Sequence, residues 1–338
     1  MKKRMKLPKK NKLTIVQVIS NYPSAQPVPS IKGGTEKIVF ELTEELVRRG
    51  HNVYLFAALG SRSKANLITY PKGLRHKSIA RFVTRKTPMG ADIIHDHTFH
   101  SAIGQTIQSI PTLCTFHIPV KRRVKYPVYV SKSARQLTGN NKGFYVYNGI
   151  NTSEYEFSTE KHGYLLFMGR IIRNKGVLHA IEVAEKTGKK LIIAGPVKAP
   201  HFFRREVKPR IQKNANIQYV GPVGGKLKQQ LLKHAECVLF PTLWDEPFGL
   251  VMIESMACGT PVLALGNGAV PEVLSGFPNL ICNTVHDMVA KVRKKKYPTP
   301  HKLRKYVTKR FTNKKMTDSY MEIYQDIIQR EAGNSKRG

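Results

Sequence analysis

From Leu13 onward the chain alternates short β-branched runs with longer stretches of helical period, and it does so in two successive series. Strands covered on both faces read as brief, nearly unbroken apolar runs, so this alternation is the signature of βα units built into parallel sheets. In the first series Thr14 to Ile19 is expected as a strand. The loop to Gly34 then feeds a helix whose apolar positions Ile38, Val39, Leu42, Leu46 and Val47 recur at helical spacing. Gly50 ends that helix after Arg48 and Arg49, which suit its negative terminus. Further strands are expected at Val53 to Ala57, Asp92 to His95, Thr112 to Phe116, Val128 to Val130 and Tyr145 to Tyr147.

The second series opens after the turn Asn148-Gly149 and the polar stretch Thr152 to His162. It comprises a strand at Tyr164 to Met168, a helix at Val177 to Lys186, and strands at Leu191 to Ala194, Ile217 to Val220 and Val238 to Phe240. The expected division is a basic arm at 1–12, a Rossmann-like domain at 13–150, a second at 151–310 and a terminal helix at 311–330. That helix carries the apolar stripe Phe311, Met316, Tyr320, Ile323, Tyr324, Ile327 and Ile328, which must pack on something.

At 338 residues the chain is long enough for two such domains. Its 57 Lys and Arg against 22 Asp and Glu leave a net charge of +35, spread over both halves, which attracts phosphates, nucleic acid and anionic lipid alike. Cys114, Cys237, Cys258 and Cys282 stand singly, which argues against a disulfide framework or zinc knuckle and for a cytoplasmic location. No apolar stretch approaches the roughly 20 residues of a membrane-spanning helix. Met1 to Lys12 resembles the basic start of a signal peptide. However, the apolar run after it is interrupted by Gln17 and followed by Pro23, Pro27 and Pro29, so a first strand behind a basic arm is expected.

Four segments carry chemistry. The run Trp244 to Val262 sets Glu246 in a loop closed by Pro247 and Gly249, and Glu254 in the helix that follows. Free backbone N–H groups at that helix start, near Phe248 to Val251, make an anion site together with the local dipole. The plain alternative is two solvated surface glutamates. Phe167 to Gly176 places Arg170 and Lys175 directly after an expected strand, where a guanidinium fork and a compact ammonium can neutralise a diphosphate. Gly33-Gly34-Thr35-Glu36 lies between the first strand and first helix, where glycines permit positive φ and close approach of a phosphate; an ordinary loop explains it about as well. His95-Asp96-His97-Thr98-Phe99-His100 closes a strand at the end where open α/β sheets hold ligands. Alternate residues of a strand share a face while neighbours do not, so only some of the three histidines could converge; a metal site would draw two ligands from the loop. His95 is expected to point into packing and His100 to start a helix.

The Glu-x7-Glu run through Gly259-Thr260-Pro261-Val262, followed by Gly268-Ala269-Val270-Pro271-Glu272-Val273, closely resembles the donor site of family 4 glycosyltransferases. The resemblance extends from Ile15 to about Ile328 and is sharpest from Tyr164 to Val273. It implies the GT-B fold, two Rossmann-like domains with parallel sheets facing a central cleft, and a terminal helix crossing back to the first domain. By the same resemblance Glu254 would hold the ribose hydroxyls and Glu246 the transferred sugar. The amides of Phe248, Gly249 and Leu250 would meet sugar hydroxyls and diphosphate, and Arg170 and Lys175 would hold the diphosphate. Gly33 and Gly34 would face the donor, and His97 would lie near a sugar hydroxyl. Asn151 departs from the family's usual Asn-Gly-Ile-Asp turn, and the short basic stretch between His117 and Val130 transfers no acceptor specificity from relatives.

The implied reaction is a retaining, metal-independent transfer from a nucleotide-sugar, with a UDP-sugar such as UDP-glucose the default, to an unidentified acceptor hydroxyl. No cofactor is expected beyond that donor, and His97, Glu246, Arg170 and Lys175 are the candidate catalytic residues. Competing readings are a sugar-nucleotide epimerase or phosphorylase of the same architecture, or a basic protein that binds nucleic acid or another polyanion; dispersed charge and the lack of a recognition motif disfavour the last. The basic arm, the run Lys121 to Lys125 and the cluster Arg293 to Lys296 add an expected peripheral contact with anionic lipid, at about 1 kcal/mol per residue near the surface.

Overall fold

The computed structural model describes residues 11–21, 33–107 and 109–334. Most of the basic arm, the prolines at 23, 27 and 29, and Lys32 lie outside the described residues. The chain divides into two compact units, one of residues 1–149 with 313–338 and one of residues 150–312.

In the first unit the apolar runs become β1 (Thr14–Val18), β2 (Asn52–Ala57), β3 (Asn66–Thr69), β4 (Ile93–Asp96), β5 (Thr112–Phe116), β6 (Tyr126–Tyr129) and β7 (Phe144–Tyr145). They pair in parallel in the order β3-β2-β1-β4-β5-β6-β7. The strand order reverses between β1 and β4, the point outside which open sheets of this kind hold ligands. Helices α1 (Gly34–Arg48), α2 (Ile79–Lys86) and α3 (Lys132–Gly139) connect strands. α3 begins where Ser131 Oγ accepts a hydrogen bond from the Ala134 amide at 2.9 Å, an N-cap its sequence supplies.

The second unit repeats the scheme. β8 (Leu165–Met168), β9 (Leu191–Ala194), β10 (Ile217–Tyr219), β11 (Cys237–Phe240), β12 (Val262–Leu265) and β13 (Ile281–Cys282) form a parallel sheet ordered β10-β9-β8-β11-β12-β13, with its own reversal between β8 and β11. Its principal helices are α4 (Val177–Thr187), α5 (Gly225–His234), α6 (Leu250–Ala257), α7 (Val285–Lys294) and α8 (Pro300–Arg310).

The last helix, α9 (Asn313–Asn334), belongs to the first unit. Its stripe residues Met316, Tyr320, Tyr324 and Ile327 are buried, each worth about 1.5–3 kcal/mol of apolar burial. Asn313 Nδ2 donates to Glu41 Oε2 of α1 at 3.1 Å, and Arg49 pairs with Asp318 at 2.7 Å.

Several local expectations need correction. β4 is shifted by one residue, β6 starts at Tyr126, and β7 ends at Tyr145. β3, β12 and β13 are additions to the expected strands: β3 is partly exposed, β13 has two residues, and Val262–Leu265 is embedded in a run legible for its chemistry rather than its period. His100 starts no helix. The buried Asp96 carboxylate accepts from the amides of Thr98, Ile103 and Gly104 at 2.7, 2.9 and 3.1 Å, which draws residues 98–104 into turns. All four cysteines are buried and unpaired, and no helix among the described residues is long and apolar enough to cross a membrane.

Candidate functional site

In the second unit the chemistry gathers at the carboxyl ends of β8 and β11, the strands that flank the reversal. Gly176, at φ +74°, makes the turn that ends the segment after β8. A Cβ there would come within 1.8 Å of the Pro241 carbonyl oxygen, so only glycine lets this turn lie against the loop after β11. Lys175 is thereby carried to Glu246: Nζ lies 2.5 Å from Oε2, with the two side chains 13% and 10% exposed. The ammonium also sits 4.8 Å from the Trp244 ring centroid. Glu246 Oε2 accepts in addition from Trp244 Nε1 at 2.8 Å. Burial pushes the Lys175 pKa down; Glu246 opposes that shift, and the nearby Arg170 adds to it. Arg170 is exposed and pairs with no carboxylate among the described residues.

The Glu246 backbone is clamped from the other side. Gly268, at φ +60°, approaches so closely that a Cβ would stand 2.3 Å from the Glu246 nitrogen, and the Ala269 amide donates to the Glu246 carbonyl at 2.8 Å. Gly249, at φ +89°, precedes α6 in a left-handed conformation that strains any residue with a Cβ. Phe248 is buried with its ring 5.8 Å from that of Phe311, so its side chain anchors the loop while Gly249 and Leu250 begin the helix. Glu254, also buried, accepts from Lys228 Nζ at 2.6 Å and from Tyr155 Oη at 2.9 Å, both on Oε1. Both glutamates are thus buried and paired with lysine, unlike the solvated residues of the plain alternative. Trp244, Lys228 and Tyr155 escaped the sequence reading. Of the three, only Trp244 stood within a quoted run, and no local signal ties the other two to Glu254. Arg173, not among the candidates, pairs with Glu206 on the surface.

In the first unit Gly33 precedes α1 with φ −92°, so positive φ is not the reason for glycine there. A Cβ would meet only the Glu36 side chain, with Oε2 at 2.0 Å, a tip free to swing aside, so neither φ nor backbone crowding requires glycine here. Burial pushes the Glu36 pKa up.

At the carboxyl edge of the same sheet, His97 is only 3% exposed and both its ring nitrogens are engaged. Nε2 lies 2.7 Å from Gln17 Oε1, and Nδ1 lies 2.9 Å from His117 Nε2. His95 points into packing, with Nδ1 2.7 Å from Tyr324 Oη and Nε2 2.7 Å from Thr115 Oγ1. His117, directly after β5, is half-buried, and its Nδ1 has no partner among the described residues. Burial holds all three imidazoles neutral: His95 and His97 fall well below the usual histidine range, and His117 is lowered to about 4. The outermost imidazole is therefore His117, which the sequence reading passed over because it stands alone in its segment.

Both units match known proteins. AviGT4, a glycosyltransferase involved in avilamycin A biosynthesis, superposes with a TM-score of 0.76 at 24% identity, covering 94% of this chain and 98% of that one. HepE of Anabaena, in complex with UDP-glucose, gives 0.72 at 14% identity over 92% and 99%. The fold is that of the GT-B glycosyltransferases. In sequence, residues 151–310 match the model of glycosyl transferases group 1 and residues 32–154 that of glycosyltransferase family 4. The chain belongs to this family, the group 1 or family 4 glycosyltransferases. An uncharacterized glycosyltransferase of Methanocaldococcus jannaschii is 28% identical over 172 residues, 44% of either chain. The chain spans about half the length of such relatives.

Proposed function

We propose that the chain transfers a sugar from a UDP-sugar to an acceptor hydroxyl, with retention of configuration and without a metal ion. The observation that carries this reading is the Lys175–Glu246 pair beside the start of α6, at the reversal of strand order in the second sheet. HepE, of like fold, was captured with UDP and with UDP-glucose, which supports uridine as the base.

In this reading Arg170, Lys175 and the amides of Gly249 and Leu250 take the diphosphate. Glu246, released from Lys175 as the ammonium turns to phosphate oxygens, accepts from a sugar hydroxyl. Glu254 exchanges Lys228 or Tyr155 for ribose hydroxyls, and Gly33 and Gly34 accommodate the donor at the start of α1. The acceptor oxygen bonds to the anomeric carbon from the face the diphosphate leaves. The bonding pair departs with the β-phosphate oxygen, and the acceptor's proton passes to a phosphate oxygen. Cations and amides already in place stabilise the charge that develops there, and positioning supplies much of the rest. His117, with His97 behind it, serves as the imidazole that meets a sugar hydroxyl, a role assigned from sequence to His97 alone. Anionic lipid remains the proposed peripheral partner, through Lys121, Arg122 and Arg123, which are exposed and pair with no carboxylate among the described residues.

Calorimetric titration of the wild type and Glu254→Ala with UDP, GDP and ADP, with and without magnesium, tests the site. Saturable UDP binding that ignores magnesium and is lost in the variant is expected. Binding of none of the three nucleotides would overturn the assignment. Retention is read from the anomer first released when the donor is slowly hydrolysed.

A further inference from the structure

The polar network behind His117 has a direction, and that direction decides what His117 can offer a ligand. Gln17 sits on β1 with its side chain fully buried, and its amide is held at both ends. Nε2 donates to Tyr324 Oη of α9 at 3.1 Å, and Oε1 faces His97 Nε2 at 2.7 Å. An amide oxygen only accepts, so His97 must carry its proton on Nε2. Its Nδ1 is then a bare acceptor, and His117 Nε2, 2.9 Å away, must be the donor. A neutral imidazole holds one ring proton, so none is left for His117 Nδ1.

The order in the other branch follows from the same Gln17 orientation. Tyr324 Oη, having accepted from Gln17, turns its own hydrogen to His95 Nδ1 at 2.7 Å. His95 then carries its proton on Nε2 and donates to Thr115 Oγ1, also at 2.7 Å. Reversing the Gln17 amide would reverse both branches together and place the His117 proton on Nδ1. The groups involved come from β1, β4, β5 and α9, brought together because β1 lies beside β4, β4 beside β5, and α9 packs on the same unit.

We propose that Gln17 and Tyr324 are positioning residues that fix the tautomers of His97 and His117, so that His117 presents a bare Nδ1 as hydrogen-bond acceptor for a sugar hydroxyl. The inference rests on the reading of His117 as sugar-facing, but the tautomer itself is a property of the free protein. A basic nitrogen facing a hydroxyl draws its hydrogen away and orients the oxygen's lone pairs outward. A protonated Nδ1 in the same place would do the opposite, although the ring would be no more highly charged.

Long-range proton–nitrogen NMR on full-length protein labelled with nitrogen-15 in histidine reads the tautomer directly. The His117 signals are assigned by their loss in His117→Gln. In the wild type His117 is expected to show a protonated Nε2 and an unprotonated Nδ1. Tyr324→Phe removes the hydroxyl that anchors the Gln17 amide while keeping the ring in the core. His117 should then show both tautomers in exchange, and kcat for transfer should fall several-fold with the UDP Kd unchanged. A wild-type His117 protonated at Nδ1, or a Tyr324→Phe spectrum with the His117 tautomer unaltered, overturns the proposal. Addition of UDP-glucose, compared with UDP, separates the two layers of the argument. If the tautomer is as stated but Nδ1 does not respond to the sugar, the sugar-facing reading fails and the positioning role stands.

Discussion

Acidification from pH 7 to pH 5 should loosen the first unit through His117. In the folded chain its pKa is lowered to about 4 by burial, against 6.5 in the unfolded chain. Between those values the unfolded state binds the extra proton, so stability is complete above about pH 6.5 and is lost as pH falls toward 4. At pH 5 the ratio of the two binding polynomials is about 30, equivalent to about 2 kcal/mol, and about 1–2 kcal/mol after allowance for solvent at the half-open ring. His95 and His97 are shifted the same way by deeper burial and act in the same direction. The variant His117→Gln isolates the term, because a glutamine amide can still donate to His97 Nδ1 yet does not titrate. Hydrogen exchange of peptides covering β4 and β5, followed by mass spectrometry, reports the first unit. Fluorescence of Trp244, the only tryptophan, reports the second. The wild type should lose about 1–2 kcal/mol more than His117→Gln on going from pH 7 to 5 in those peptides, with the Trp244 transition the same in both. Equal losses in the β4 and β5 peptides would show that the burial of His117 does not govern its titration, and would refute the reasoning.

Gly268→Ala combines a positive φ with a Cβ 2.3 Å from the Glu246 nitrogen. It should cost about 1–3 kcal/mol of stability and weaken UDP-sugar binding at least tenfold by calorimetry; unaltered affinity would show that the clamp on Glu246 is dispensable. Trp244→Phe deletes the indole N–H bond to Glu246 but keeps a ring near Lys175, so kcat should fall roughly fivefold, matching about 1 kcal/mol for one hydrogen bond, with the UDP Kd little changed. A thiol reagent should label none of the four buried cysteines in the native protein and all four in denaturant. Burial pushes Cys237, Cys258 and Cys282 up to about 12, leaving almost no thiolate at neutral pH; native labelling would show that one of these segments opens readily.

The parts of the fold legible in sequence were those with a period. The runs Thr14 to Val18 and Leu165 to Met168 are apolar because both sheet faces are covered, and α1 and α4 announce themselves by helical spacing. β3 is a partly exposed strand with no unbroken apolar run, and β13 has only two residues, so both left too little pattern to find. The site was legible as far as contiguous runs reach. Gly176 and Gly268 adopt positive φ in close approach to Pro241 and Glu246, and these partners follow from packing rather than from sequence. Lys175 and Glu246 were each singled out for separate contacts; that they bind each other across 71 positions depends on β8 lying beside β11. The same holds for Gln17, His117 and Tyr324, which read as an interruption in a strand, a lone histidine and one member of an apolar stripe.

The two carboxylates of the proposed donor site share a feature that bears on how such a basic chain works. Each is held by a lysine in the ligand-free protein, Glu246 by Lys175 and Glu254 by Lys228. Each lysine supplies the counter-charge and fixes the orientation of a buried carboxylate while occupying the atoms a ligand needs. Binding of a nucleotide-sugar is therefore an exchange of partners. For Lys175 the exchange favours the ligand, because a diphosphate brings more negative charge than the glutamate it replaces. For Lys228 the incoming ribose offers only neutral hydroxyls, so the ammonium must stay on Glu254 and Tyr155 is the partner displaced. Lys228→Met should then weaken UDP binding about tenfold or more by removing the ammonium that orients Glu254. Tyr155→Phe should leave affinity unchanged or raise it by relieving the competition for Oε1. If Tyr155→Phe binds UDP markedly more weakly than the wild type, the exchange occurs at Lys228 instead and the order of partners proposed here is wrong.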